Sequence, residues 1–317
     1  SKMALDLAKN KIVKLVINQN STDEVFAMIQ VNSHVETIDL SSSRARYWLN
    51  DLYHRNIDSN EIHSDDFFKN VLNNIISYAQ MNGTQRTKVH VRIAQLDDEI
   101  WYDLGTPDWS AIKISKEGIK IVKLDVTSPI FFRSQSLQSQ VLPKENDEHA
   151  LDKLVDLLKI SKKDRIVFIV HLIGLFLESI PVPMMVLDGS AGSLKTTVTA
   201  AVKTIVDPSG MAKEDNVSTM SEKYDDLINQ LANRYLSSFD NVSNVDHKTS
   251  DIFCRTLTGS SNPKRKLYTN QEEVIRSYMR KIVLNGIVPT LEYVDLQTRL
   301  VKYARETVNE TNRMTEK

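Results

Sequence analysis

Residues 189–197 place small residues, a lysine and two threonines at a spacing that suits phosphate binding. Gly189, Lys195 and Thr196 match the pattern G-x-x-x-x-G-K-[ST], and they follow a short apolar strand. Backbone amides in such a turn, and the start of the next helix, attract phosphate. We therefore predict that Lys195 neutralises the β- and γ-phosphates of ATP and that the Thr196 hydroxyl binds Mg²⁺. The predicted nucleotide-binding residues are Gly189, Ser190, Ala191, Gly192, Ser193, Leu194, Lys195, Thr196 and Thr197.

Leu194 is the one departure from the pattern, because it stands where the second glycine is expected. We expect a helical or near-helical backbone at this position, which leaves room for a side chain. The expected risk is crowding of the β-phosphate. An ordinary turn between a strand and a helix is the alternative interpretation of the whole segment.

An acid follows a later apolar strand. Asp240 comes directly after residues 235–239 and 45 residues after Lys195. An aspartate there can hold the metal through water, as a Walker B acid does, although an Asp-Asn pair also favours a simple turn. Asn241 follows, and an asparagine can orient water but cannot accept its proton. Hydrolysis is then slow, or the base comes from elsewhere.

Two further residues are candidates for the catalytic set. Asn285 ends the strand at 281–284, and polar groups at the carboxyl ends of parallel strands can reach a γ-phosphate and the attacking water. An Asn-Gly turn is the alternative. Arg299 lies slightly further on and could act in trans on the γ-phosphate of a neighbouring subunit. A solvated helix arginine is equally compatible with the sequence.

A basic hairpin is predicted around residues 264–281. Six cations against two glutamates give a local charge of +4 in a chain whose net charge is -1. Such a hairpin could follow a DNA backbone, with Lys264, Arg265, Lys266 and Arg276 as contacts. The acidic tip at 270–273 argues against contact by the tip, and a solvated charged hairpin is the alternative.

The order of elements predicts an α/β fold from residue 150 onward. Strands at 184–187, 235–239 and 281–284 alternate with helices at 195–206 and 247–258, which indicates a parallel central sheet. Residues 1–132 mix helices and alternating strands and predict an α+β accessory domain, with a helix over 4–17. The polar stretch 133–149 is interpreted as a linker, and 150–317 as the ATPase domain.

The amino-acid composition limits the classes of protein to which the chain can belong. The chain has 317 residues, 41% hydrophobic and 26% charged, as is ordinary for soluble globular proteins. One cysteine, Cys254, excludes an internal disulfide framework and indicates a reducing, cytoplasmic location. No apolar stretch is long enough to cross a bilayer, so no membrane partner is predicted.

The ordered motifs resemble the superfamily 3 helicase branch of AAA+ ATPases, and more closely the mobile-element ATPases related to phage and poxvirus primase-helicases. The likeness covers most of residues 40–305. It is carried by Trp101-Tyr102-Asp103-Leu104-Gly105, Pro129-Ile130-Phe131-Phe132-Arg133, Phe239-Asp240-Asn241, Arg265-Lys266-Leu267-Tyr268-Thr269 and Leu284-Asn285-Gly286.

That resemblance implies tolerance of a non-glycine before the loop lysine and of Asp-Asn after the strand. It also implies a hexameric ring around single-stranded or forked DNA, driven by ATP and Mg²⁺. The leading hypothesis is a DNA helicase or translocase in replication of a mobile element. The rivals are an ATP-binding DNA-binding or loading factor with little hydrolysis, and a signalling ATPase without a DNA role.

Overall fold

A computed structural model describes residues 2–32, 34–57, 63–144, 147–210, 216–265, 273–286 and 291–305. For 262–265 and 273–275 it describes the backbone alone. The chain divides into two compact units. Unit 1 comprises Ser1–Arg133 with Pro263–Arg276, and unit 2 comprises Ser134–Asn262 with Ser277–Lys317.

Unit 1 contains two four-stranded sheets and a helical layer. Its elements are α1 (Lys2–Lys11), β1 (Ile12–Asn18), β2 (Val25–Val31), β3 (His34–Asp39), α2 (Ser43–Asn56), α3 (Asp65–Met81), β4 (Arg86–Thr87), β5 (Val89–His90), β6 (Ile93–Leu96), β7 (Glu99–Asp103), β8 (Ser110–Ser115), β9 (Gly118–Lys123) and β10 (Ile130–Phe131). The first sheet has the order β3-β2-β1-β4 and packs on the three helices. The second, β6-β7-β8-β9, is an antiparallel meander.

The predicted helix over 4–17 is wrong in its second half. Helix α1 ends at Lys11, and Ile12 begins strand β1, which pairs antiparallel with β2. The run Ile12, Val13, Val16 and Ile17 is β-branched, and such side chains fit a pleated sheet better than a helix. The apolar spacing is compatible with both structures, so pairing with β2 decides the outcome.

Unit 2 is a mixed α/β unit with a parallel central sheet. Its elements are α4 (Ala150–Leu157), α5 (Arg165–Gly174), β11 (Met184–Gly189), α6 (Lys195–Val206), α7 (Tyr224–Ala232), β12 (Leu236–Phe239), α8 (His247–Thr258), β15 (Lys281–Gly286), α9 (Val294–Gln297) and β16 (Leu300–Arg305). The strand order is β12-β15-β11-β16, and every neighbouring pair is parallel. Strands β13 (Ser261–Arg265) and β14 (Glu273–Ser277) form a separate two-stranded ribbon.

Helix α6 packs against strands β11, β12 and β15 of the parallel sheet. Val198, Val202 and Val206 are fully buried on it. Near its end Lys203 donates to the Asp207 carboxylate at 2.8 Å, and the same carboxylate oxygen accepts from the Leu236 backbone amide. This buried pair fixes the end of α6 against the start of β12 and thereby sets the spacing between the two elements that carry Thr196 and Asp240.

Among the residues the structure describes, no helix has the length and apolar character that crossing a membrane requires.

Candidate functional site

The segment after β11 forms a tight turn that we call the glycine loop (residues 189–197). A Cβ at Gly189 would lie 2.4 Å from the backbone oxygen of Arg305, a distance that real side chains do not adopt. Gly192 has φ +78°, in the left-handed region that glycine enters without cost. The two glycines therefore serve different needs, close backbone approach at Gly189 and backbone angle at Gly192.

Leu194 corrects the expectation of a near-helical backbone. Its φ and ψ are 59° and 22°, which is left-handed, and it occupies the N-cap position of α6. A left-handed conformation costs an L-residue about 1–2 kcal/mol, which explains why a glycine suits this position. The loop accommodates Leu194 as a strained residue.

Lys195 is turned into the glycine loop. Its Nζ donates to the backbone oxygens of Gly189 at 2.5 Å and Ser190 at 2.7 Å, and the side chain is 9% exposed. The ammonium therefore lies beside the loop backbone at the start of the twelve-residue helix α6. Positive charge at a helix N-terminus is an arrangement that attracts anions. The side chains of Ser190, Ala191 and Thr197 are exposed around it.

Thr196 and Asp240 are brought together from two elements. The Thr196 hydroxyl donates to Asp240 Oδ1 at 3.0 Å, where Asp240 directly follows β12. A hydroxyl and a carboxylate at this distance are the hard oxygen ligands that Mg²⁺ takes, together with water and phosphate oxygens. In the described ranges no cluster of three or more His, Cys, Asp or Glu could hold a metal alone. The pair thus fits a metal that a phosphate ligand helps to hold.

Asn285 connects three parts of the site from a buried position at the end of β15. Its amide donates to the Thr199 hydroxyl at 3.0 Å, and its side-chain oxygen accepts from the Asn241 backbone amide at 3.2 Å. Its backbone oxygen accepts from the Val242 amide. The contacts of Asn285 in this structure are therefore with α6 and with the turn after Asp240.

Asn241 has a conformational reason to be an asparagine. Its φ is 53°, and asparagine is among the few non-glycine residues that enter the left-handed region readily. A glutamate would be strained at this backbone angle. The side chain of Asn241 is exposed, next to the partly buried Asp240.

Arg299 lies at the opposite end of the sheet from the glycine loop. Its backbone oxygen accepts from the Met184 amide at the amino end of β11, and its guanidinium pairs with Asp295 at 2.9 Å. Gly189 lies five residue steps along β11 from Met184, which corresponds to about 17 Å at 3.3 Å per residue. The guanidinium therefore does not join Lys195, Thr196 and Asp240 of its own chain.

Arg305 is a site residue that the sequence did not reveal. It ends β16, is 8% exposed, and donates to the backbone oxygens of Leu158 at 2.7 Å, Lys159 at 2.8 Å and Ser193 at 3.4 Å. Burial lowers the pKa of its guanidinium. The side chain ties the glycine loop to the segment after α4. Residues 300–305 do not alternate strictly between apolar and polar side chains, so the sequence offers no clear strand signal there.

The cations predicted to contact DNA lie in different environments in the structure. Arg276 forms an ion pair with Glu24 at 3.1 Å in unit 1. Arg280 and Lys281, counted in the local +4, are buried and donate to the backbone oxygens of Ala232 and Ile180. This lowers the accessible charge of the stretch below the sequence estimate. Lys264 and Arg265 lie on β13 with side chains outside the description, and Lys266 lies outside the described residues.

Comparison with known proteins supplies the family. Residues 151–316 match the model of the actinomycete integrative conjugative element replication protein, which is more than half of the chain. The chain belongs to this family of replication proteins. The matched segment contains Lys195, Thr196, Asp240, Asn285 and Arg305. A search of curated proteins gives no match.

Several solved structures are similar to this replication protein at low identity. The C-terminal region of NrS-1 has 14% identity and a TM-score of 0.48, over 98% of this chain and 63% of that one. The Cch active helicase of SCCmec type IV has 12% identity and a TM-score of 0.48, over 95% of this chain and 55% of that one. The chain thus spans less than two thirds of the length of these two proteins.

Proposed function

We propose that this replication protein is a P-loop ATPase of the AAA+ type that acts as a ring-forming DNA helicase or translocase. The observation that carries the proposal is the 3.0 Å contact between Thr196 and Asp240 beside the buried Lys195. All three lie at the carboxyl edge of a parallel sheet, where α/β proteins bind their ligands. Family membership supplies the link to replication of a mobile element.

Each residue has a proposed task. Lys195 binds the β- and γ-phosphates, with the amides of residues 190–197 around them. Thr196 and Asp240 hold Mg²⁺, which when bound neutralises developing phosphate charge. Asn285 acts through its contacts, holding the turn at Asn241 and the helix at Thr199 in a common geometry. Arg305 keeps the loop backbone in place from behind.

The ring rests on two observations in unit 2. Arg299 lies beside Met184, and the strand from Met184 to the glycine loop at Gly189 spans about 17 Å, so a role of Arg299 on a γ-phosphate requires a neighbouring subunit. Helix α5 carries an apolar stripe that faces solvent, in which Ile166 is 77% and Val170 is 63% exposed, with Val167 and Ile173 beside them. We propose that a second copy of the chain covers this stripe, since exposed apolar patches mark interfaces.

The ring can be tested on that stripe. The double variant Ile166→Asp, Val170→Asp should shift the ATP-bound protein from a hexamer to a monomer in light scattering. Ile119→Asp in unit 1 is the matched control, because that isoleucine is also exposed. A hexamer that survives the double substitution removes α5 from the interface.

A second candidate is a loading factor that binds ATP and hydrolyses little. The exposed Asn241, in a backbone conformation that disfavours glutamate, favours this alternative, since no carboxylate stands at the position next to Asp240 that could accept a proton. Tight MgATP binding with negligible turnover would support it over the helicase.

ATP turnover with and without single-stranded DNA tests the main proposal. The wild type should hydrolyse ATP faster with DNA present. Lys195→Ala should lower turnover at least about 100-fold, the typical effect of removing a charge-stabilising donor. Lys162→Ala, an exposed lysine on the bend before α5, is the control. Equal turnover in the wild type and in Lys195→Ala contradicts the proposal.

A further inference from the structure

Unit 1 contains an open cleft of about 560 Å³ between the junction of α1 with β1 and the end of α3. Its charged lining residues are Lys9 and Lys14, and its polar ones include Asn82, Thr84 and Gln85. Among the described residues, no aspartate or glutamate lines the cleft. A concave site of this volume lies within the range of pockets that hold a small organic ligand.

The segment that forms one side of the cleft carries a net positive charge, and its two lining lysines can contact an anionic ligand. Residues 2–14 contain Lys2, Lys9, Lys11 and Lys14 against the single acid Asp6, a local charge of +3. Neither Lys9 nor Lys14 forms an ion pair with a carboxylate in the part of the chain that the structure describes. This differs from Arg276, which Glu24 neutralises.

An aromatic ring lies in the same cleft. Tyr78 is 52% exposed on α3, and Lys9 Nζ lies 5.4 Å from the centre of its ring. The backbone oxygen of Tyr78 accepts from the Asn82 side chain at 2.9 Å, which completes the end of the helix. A ring that is half exposed and held beside an ammonium group offers both a stacking surface and an anion contact.

We propose that this cleft binds single-stranded DNA. Lys9 and Lys14 contact backbone phosphates, one unpaired base stacks on Tyr78, and the amides of Asn82 and Gln85 donate to base edges or sugar oxygens. Stacking on an aromatic ring needs an exposed base face, which a duplex does not present in a cleft of this size. The inference rests on the proposed DNA role of the protein, and it adds a contact in unit 1 that is separate from the nucleotide site.

Fluorescence anisotropy with a labelled oligothymidylate tests the cleft in the full chain. Lys9→Ala with Lys14→Ala should weaken binding and reduce the slope of log affinity against log salt by about 1.4, at roughly 0.7 per phosphate contact. Tyr78→Ala should weaken binding about tenfold, and Tyr78→Phe should keep most of the affinity. A duplex of the same length should bind at least about tenfold more weakly than the single strand.

Matched controls lie on the same layer of helices. Lys69 is an exposed lysine on α3 and Tyr47 an exposed tyrosine on α2, and neither lines the cleft. Lys69→Ala and Tyr47→Ala should bind the oligonucleotide as the wild type does. All the substituted side chains are at least partly exposed, and thermal unfolding of each variant checks that the fold is kept.

The outcomes separate the cleft from the ATPase proposal. Unchanged DNA affinity and salt slope in both cleft variants, or equal loss in the controls, overturns the cleft even when ATP turnover is normal. A wild type that does not bind the oligonucleotide also overturns it. Loss of DNA affinity in the cleft variants of a protein that does not hydrolyse ATP supports the cleft and contradicts only the ATPase.

Discussion

Arg133 in unit 1 and Arg305 in unit 2 both have side chains shielded from solvent, and the partners of the two residues differ. Arg133 in unit 1 pairs with both carboxylate oxygens of Asp103, at 2.6 and 2.9 Å, and lies 3.8 Å from the centre of the Trp109 ring. Arg305 in unit 2 has only backbone oxygens as hydrogen-bond partners within the described ranges. Arg133 is paired with a carboxylate, whereas Arg305 lies near the charge of Asp164 without forming a hydrogen bond or ion pair with it.

The difference agrees with separate roles for the two arginines. A carboxylate that is paired in two-point geometry with an arginine closes a structural network and leaves no charge for a ligand. A guanidinium bound to carbonyls behind a phosphate-type loop keeps a positive field there, which favours an anion. We expect Arg133 to matter for the stability of unit 1 and Arg305 to matter for nucleotide binding in unit 2.

The largest expected effect comes from breaking the neutral pair. Asp103→Ala leaves the buried Arg133 without its counter-charge and should lower the free energy of unfolding of unit 1 by about 3–5 kcal/mol. MgATP binding should stay unchanged where the protein is folded. Chemical denaturation measures the loss. Asp65→Ala is the control, since its ion pair with Arg46 is exposed and should contribute less than about 1 kcal/mol.

A buried lysine extends the comparison to a cation that can lose its charge. Burial lowers the pKa of Lys281 from 10.5 to about 8. The unfolded chain then binds more protons than the folded one between pH 8 and 10.5, so stability rises with pH across that window. The rise should reach about 3 kcal/mol relative to Lys281→Met, which lacks the proton. If the free energy of unfolding changes with pH in the same way in the two proteins across this window, the lowered pKa of Lys281 is contradicted.

Arg305→Lys tests the retained charge with a smaller change. A lysine keeps the charge but cannot reach the oxygens of Leu158, Lys159 and Ser193 together, so about 2 kcal/mol of stability should be lost. The loosened glycine loop should weaken MgATP binding about tenfold, which corresponds to about 1.4 kcal/mol of binding free energy. Calorimetry measures this change in affinity. Arg255→Lys on the exposed side of α8 is the control. Lost stability with unchanged affinity would reduce Arg305 to a structural role.

The smallest effect concerns the strained loop residue. Leu194→Gly removes the left-handed strain and should raise the free energy of unfolding by up to about 1 kcal/mol, partly offset by the greater freedom of glycine in the unfolded chain. Lys159→Gly is the matched control, because Lys159 has φ 51° outside the glycine loop. Thermal unfolding measures the change in stability of each of the two variants relative to the wild type. Loss of stability in Leu194→Gly would mean that the leucine side chain packs in a way that outweighs its strain.

Local signals in the sequence predicted the helices that flank the site. The helices predicted at 195–206 and 247–258 match α6 and α8 in their bounds. In α8 the reason is visible, because Asp246 caps the first turn by accepting from the Thr249 amide and Gly259 ends the helix at φ +79°. Such caps act over a few residues and can therefore be predicted from a short segment.

Long-range pairings were not predictable from one sequence. Asp103 and Arg133 stand in two separate stretches of the sequence, and their salt bridge depends on how these two chain segments meet in space. Strand β16 and its Arg305 were missed for the same reason, since its only pairing partner among the described strands is β11, more than 100 residues earlier. The left-handed Leu194 is imposed by the loop between β11 and α6 and has no signal in its own side chain.

Calorimetric titration with MgATP tests the central claim most directly. The account predicts saturable binding of one nucleotide per chain, loss of that binding in Lys195→Ala and retention in Lys162→Ala. Chelation of Mg²⁺ should weaken ATP binding by the wild type, because Thr196 and Asp240 are placed to hold the metal. Equal affinity in the wild type and in Lys195→Ala would contradict the assignment of the glycine loop as the nucleotide site.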